Sequence, residues 1–255
     1  MLKVIALTAA NSDHEYVIES AIKMATFFEV QIQFLHFVPG PSDWGHLSRT
    51  NRDNYPACKV ENANARDKFD SLLREVRNVG LKASKRIVIE EVLENVELDA
   101  GEHDLILIDA KSFWKLNTLK WLNSSSLILL QTVFNPSQMN DLVVNSCFQV
   151  GLKKMTLDLI LKFSDRLNLY KHLLFINTQE NFESTKSSVE RMKKSINQTG
   201  INKTRIEVFN AQRHDEGIAE FAKLKNCDLI IIEHIKAREI SQLGTIEVPL
   251  VLLKS

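Results

Sequence analysis

Cysteine, glycine and proline are all scarce in this chain. Three cysteines in 255 residues (Cys58, Cys147 and Cys227) are odd in number and widely separated, which excludes a disulfide framework or a zinc-finger pattern and fits a reducing cytoplasm. With only 8 glycines and 5 prolines, collagen-like and low-complexity classes drop out. An excess of either charge is missing too: 32 basic residues cancel 32 acidic ones, so the concentrated basic face of a nucleic-acid binder is not expected. No apolar run approaches the ~18 residues of a membrane span, and no membrane association is expected. The opening VIALTAA could pass for a short export signal, but only Lys3 supplies a basic flank. Its counterpart DLVVNSCF at 141–148 cannot serve export, so a buried strand is the expectation for both.

What is present is 44% apolar and 25% charged sequence, a globular composition, written in two parallel passages. DLILIDA at 104–110 returns as DLIIIEH at 228–234. Around these phrases KVIALTA (3–9), a helical stretch (12–28) and VQIQFLHFV (30–38) match DLVVNSCF, a helical stretch (152–169) and HLLFINT (172–178), at an offset of about 140. A helix over 60–79 with KRIVI (85–89) then matches 182–198 with TRIEVF (204–209), at an offset of about 121. That drop locates an insertion at 39–59, whose prolines, glycines and polar residues predict a loop. Short helical pieces (92–101 and 216–226) and last strands LILLQTV (127–133) and VPLVLLK (248–254) complete each half. Continuous Val, Ile and Leu runs predict strands covered on both faces, as in a parallel sheet under helices. The expected fold class is therefore α/β: two tandem, open, five-stranded parallel sheets flanked by helices, over 1–136 and 137–255.

Ser12 followed by Glu15 suits a capping box ahead of the apolar row Val17, Ile18, Ala21, Ile22, Met24, Ala25 and Phe28. Such rows read as core faces. The order and duplication of KVIALTAANSD, IQFLHFV, the D-L-I fourth strands and the short last strands resemble the universal stress protein family over nearly the whole chain. The resemblance implies a Rossmann-like strand order 3-2-1-4-5 and domains that commonly pair through their last strands. It also implies a place for ATP, which many members bind with a glycine-rich loop after the fourth strand and an aspartate after the first. Glycines there let backbone N–H groups close on phosphate oxygens.

Both halves depart from that motif. Residues 111–126, KSFWKLNTLKWLNSSS, contain no glycine and carry Phe113, Trp114 and Trp121. Residues 235–247 keep only Gly244-Thr245, and neither first strand is followed at once by aspartate. No cofactor is therefore expected. Should the first cleft hold a small ligand or an adenine nucleotide by other contacts, its lining would be Thr8, Asn11, His36 and the turn Ser124, Ser125 and Ser126, since open sheets bind ligands at the carboxyl ends of their strands. His36 also reads as an ordinary hydrogen-bonded strand histidine. Glu233-His234 and His214-Asp215-Glu216 read as solvated ends of elements, because adjacent strand residues face opposite ways and cannot converge on a metal. Asp104 and Asp109 stand roughly 15 Å apart along a strand, too far to share a proton.

The sequence thus predicts a cytoplasmic, non-catalytic stress protein without metal or catalytic residues, acting through protein contacts. Bare last strands would be aggregation-prone edges. Pairing of the two halves within the chain, a homodimer, or both are the expected remedies, with a further protein partner left open. The insertion, carrying Trp44, His46, Tyr55 and Cys58, reads equally as a binding loop or a packing flap.

Overall fold

The computed structural model describes residues 3–9, 15–90, 96, 98–101, 104–110, 126–148, 152–233, 243 and 246–253. Among these lie ten strands and six helices, divided between two compact units. The first unit comprises Met1–Ser125 with Thr132–Phe134, and the second Ser126–Gln131 with Asn135–Ser255.

In the first unit β1 (Lys3–Ala9), β2 (Gln31–Pro39), β3 (Ala83–Glu90) and β4 (Leu105–Asp109) are parallel, in the order β3-β2-β1-β4. Helix α1 (Glu15–Phe28) turns Val17, Ala21, Met24 and Ala25 inward, the row expected from the 3.6-residue period. In the second unit β6 (Asp141–Asn145), β7 (Tyr170–Asn177), β8 (Thr204–Asn210), β9 (Leu229–Glu233) and β10 (Leu250–Leu253) are parallel, in the order β8-β7-β6-β9-β10. Counted within the repeat this is third, second, first, fourth, fifth, the order that the resemblance implies. Helices α4 (Lys154–Ser164), α5 (Thr185–Thr199) and α6 (His214–Lys225) complete it. Strands β4, β5 (Ser126–Leu130), β9 and β10 are buried along their whole length, which is why they read as unbroken apolar runs.

Strand β5 (Ser126–Leu130) follows the first passage in sequence but lies in the second unit, antiparallel to β10, with Leu129 opposite Leu250 and Leu127 opposite Leu252. It ends at Leu130 rather than at Val133. Residues 132–134 return to the first unit, where Phe134 N–H donates to the Ser20 hydroxyl of α1 at 2.8 Å.

The aspartate that opens each repeated phrase has a structural task. Asp104 accepts N–H bonds from Lys3 at 2.8 Å and Gly101 at 2.7 Å, with Lys3 Nζ 3.8 Å away. Asp228 does the equivalent, accepting from Asn140 at 2.7 Å and Asp141 at 3.0 Å. In each unit a carboxylate beside the fourth strand thereby holds the start of the first.

The insertion is not a plain loop. It contains a 3-10 turn (Trp44–His46), helix α2 (Arg49–Asn54) and the first residues of α3 (Pro56–Asn78). Ser48 caps α2 through Asn51 N–H at 3.3 Å, and Pro56 suits the first turn of α3, where its missing N–H costs nothing. Trp44 is only 4% exposed, with the Arg52 guanidinium 5.4 Å from its ring centre and Tyr55 edge-on at 6.5 Å. A Cβ at Gly40 would meet the indole at 2.9 Å, so this glycine is required by close approach. These contacts tie the insertion to itself around the buried Trp44.

Candidate functional site

The carboxyl ends of the parallel strands are where side chains from the first strand, its helix and the fourth strand can meet in this topology. In the first unit Thr8, the last residue but one of β1, is 4% exposed, and its hydroxyl lies 2.8 Å from His36 Nδ1 of the neighbouring strand β2. The His36 ring also packs on Phe69 of α3 at 5.4 Å between centroids. Across the sheet Tyr16, in the first turn of α1, donates its hydroxyl to Asp109 at the end of β4. Two of the predicted lining residues, Thr8 and His36, are thus brought together and bond each other. Asn11, Ser124 and Ser125 lie outside the described residues, as do Phe113, Trp114, Trp121 and Gly244-Thr245. Ser126 is not in a turn: it opens β5, is buried, and donates to Met155 Sδ of α4 at 3.3 Å within the second unit.

The second unit carries a feature that sequence reading mistook. Glu233, expected as a solvated strand end, is 1% exposed. Its carboxylate accepts from the Ser146 hydroxyl at 2.5 Å, from the Thr156 hydroxyl, and from Lys153 N–H at 3.0 Å. Ser146 follows β6, Thr156 lies in the first turn of α4, and Lys153 is that helix's N-cap. A helix N-terminus attracts negative charge because its first N–H groups lack carbonyl partners. Here the chain supplies that charge itself. The position corresponds to Asp109 of the first repeat, so both fourth strands end in a carboxylate bound by a group from the first helix of its own unit. Asp215 also departs from the expected solvated end. It is buried, bound by Arg213 at 2.7 and 3.1 Å.

Other ionisable groups fall at the opposite ends of the strands. His172 lies 3.0 Å from Asp141 and 3.3 Å from Glu207, bridging β6, β7 and β8. Burial, then the nearby Lys203, pulls the Lys171 ammonium below its ordinary range, and its Nζ donates to the carbonyls of Asn202 at 3.0 Å and Leu169 at 3.3 Å. Among the described residues no group of three His, Cys, Asp or Glu side chains is placed to hold a metal ion, and no helix is long and apolar enough to cross a membrane.

No protein-family model and no curated protein matches the sequence. Solved structures do. A universal stress protein from Archaeoglobus fulgidus DSM 4304 superposes with a TM-score of 0.67 at 13% identity, covering 99% of this chain and 98% of that one. A candidate universal stress protein from Pseudomonas aeruginosa UCBPP-PA14 gives 0.65 at 11% identity, covering 99% and 92%. The cytoplasmic domain of a prokaryotic cation chloride cotransporter gives 0.56 at 8% identity, covering 99% and 95%. The chain therefore has the universal stress protein fold over nearly its whole length, and the resemblance drawn from the sequence holds for the fold.

Proposed function

We propose that this protein is a non-catalytic, cytoplasmic protein of the universal stress type that acts through protein contacts and has lost the family's usual ATP binding. The observation that carries this reading is Glu233. A phosphate at the strand ends of the second unit would need the N-terminal end of α4 and its hydroxyls, and those donors already serve a buried carboxylate. Entry of a polyanion there would bring like charges together in a poorly solvated place. In the first unit Thr8, His36, Tyr16 and Asp109 also spend hydrogen bonds on one another. The glycine-free stretch after β4 agrees with this. Pairing of the repeats through their last strands, and a homodimer, belong to the same proposal; the register of Leu127–Leu129 against Leu250–Leu252 supports the first.

Equilibrium dialysis with labelled ATP, ADP and AMP tests the reading. No retention at protein concentrations of about 100 μM is expected, whereas a Kd in the micromolar range, equivalent to roughly 8 kcal/mol of binding free energy, would overturn it.

A further inference from the structure

The second unit holds a cavity of about 310 Å³ lined by Cys147, Phe175, Asn181, Phe182, Glu183 and Arg191. Its walls come from the segment after β6, from β7, from the connection 178–184 and from α5; β9, with Glu233, does not contribute. The walls are tied in place. The Asn177 side chain clips the connection, donating to Glu183 O at 3.2 Å and to Asn210 Oδ1 at 2.9 Å and accepting Glu183 N–H at 3.0 Å. Asn181 N–H donates to Thr178 O at 3.1 Å. On the other side Cys147 stands between Ser146, bonded to Glu233, and Phe148, which is buried with a φ of 54°. A bulky residue holds that left-handed backbone only where its surroundings enforce it.

The lining has a definite chemistry. Phe175 offers an apolar floor, and the Arg191 guanidinium lies 5.0 Å from its ring centre. Glu183 takes one end of that guanidinium at 2.6 Å, and the Arg191 side chain, 23% exposed, lines the cavity. A guanidinium carries five N–H donors, more than one carboxylate satisfies, so it can also donate to an oxygen in the cavity. Phe182, 79% exposed at the rim, is a large ring left in water. The volume is at the small end for ligand sites, which are mostly apolar with a few placed polar groups. Among the described lining residues a nucleoside triphosphate would find one cation, already paired with Glu183.

We propose that this cavity binds a flat aromatic molecule of one or two rings bearing a carbonyl or carboxylate oxygen. The rings lie against Phe175 and Phe182, and the oxygen accepts from Arg191. The site is independent of the proposed loss of ATP binding, so either can fail without the other.

The full chain with Cys58→Ser, in which Cys147 is the half-buried thiol and Cys227 a buried one, allows a direct test. The probes are 2-naphthoate and 2-naphthamide, with cyclohexanecarboxylate as the non-aromatic control. At least one naphthalene probe should slow alkylation of Cys147 by iodoacetamide about fivefold or more at saturation, and bind about tenfold more weakly to Arg191→Gln. Prior reaction of Cys147 with N-ethylmaleimide should abolish binding, whereas Cys147→Ser should keep it, which separates a filled cavity from a damaged fold. If neither probe protects Cys147, if cyclohexanecarboxylate protects it equally, or if the maleimide adduct binds as before, the proposal is wrong.

Discussion

Ser146 and Glu233, 87 positions apart in the sequence, meet at 2.5 Å between the end of β6 and the end of β9, inside the second unit. The carboxylate has two further donors and almost no water.

Removing it should therefore be expensive. Glu233→Ala leaves the hydroxyls of Ser146 and Thr156 and the Lys153 N–H without their acceptor, and urea denaturation should show a loss of about 2–4 kcal/mol. Glu233→Gln keeps an acceptor and should lose less. Millimolar phosphate or sulfate should raise the melting temperature of the alanine variant but not of the wild type, since only the variant exposes a helix N-terminus to an external anion. Equal shifts in both would show that the carboxylate does not stand in for an anion.

The two phrase-opening aspartates should differ under the same substitution. Asp104 uses one oxygen for Lys3 and the other for Gly101, whereas a single oxygen of Asp228 accepts both Asn140 and Asp141. An asparagine has only one acceptor oxygen. Asp228→Asn should cost less than Asp104→Asn, and each alanine variant about 1–3 kcal/mol. Chemical denaturation of the four variants measures the order.

Gly217, inside α6, is required by packing. A Cβ there would stand 2.7 Å from Ile176 Cγ2 and 2.9 Å from Ala211 Cβ. Alanine gains about 1 kcal/mol of helix propensity, but overpacking costs about 1–3 kcal/mol, so Gly217→Ala should lower the melting temperature. Gly45 has open space around its would-be Cβ, and Gly45→Ala should leave it nearly unchanged.

Alkaline titration should show two opposed contributions. Burial above all, then Asp228 and Asp141 against an easing backbone hydrogen bond, pushes the Cys227 thiol from 9.0 up to about 12. Between those values the folded chain keeps a proton that the unfolded chain releases, so this group's contribution to stability is lost as pH rises. Lys171 runs the other way: its lowered value means the unfolded chain holds the extra proton, and stability is regained as pH climbs towards 10.5. Urea midpoints between pH 8 and 11 should fall less steeply in Cys227→Ala and more steeply in Lys171→Met. At pH 8 Cys227 should react with iodoacetamide at least about a hundredfold more slowly than Cys147.

The strands were legible because their faces are both buried: β4 and β9 are LILID and LIIIE, and no polar residue interrupts either before its last position. Helix α2, RTNRDN, was not, since its six residues are all polar and it is held by the Ser48 cap and Arg52 contacts rather than by an apolar row. Glu233 misled for a related reason. A glutamate at a strand end is ordinarily solvated, and the donors that bury it come from positions 146, 153 and 156, which no local pattern connects to 233. Of the six lining candidates the pair Thr8 and His36 came together as neighbours on adjacent strands, a relation that the repeat's strand order already contained. The side to which a strand is donated is not written in its own residues: LILLQTV looks the same whichever unit it joins.

That donation has a genetic consequence. Residues 126–131 pack with the second unit and 132–134 with the first, so no single cut in the gene yields two intact halves. A fragment stopped at 136 carries β5 away and leaves the edge of β10 open to any strand that finds it. One begun at 126 keeps β5 but takes Phe134 from Ser20. A chain interleaved in this way loses part of one unit at any single truncation point, so the two units are inherited together.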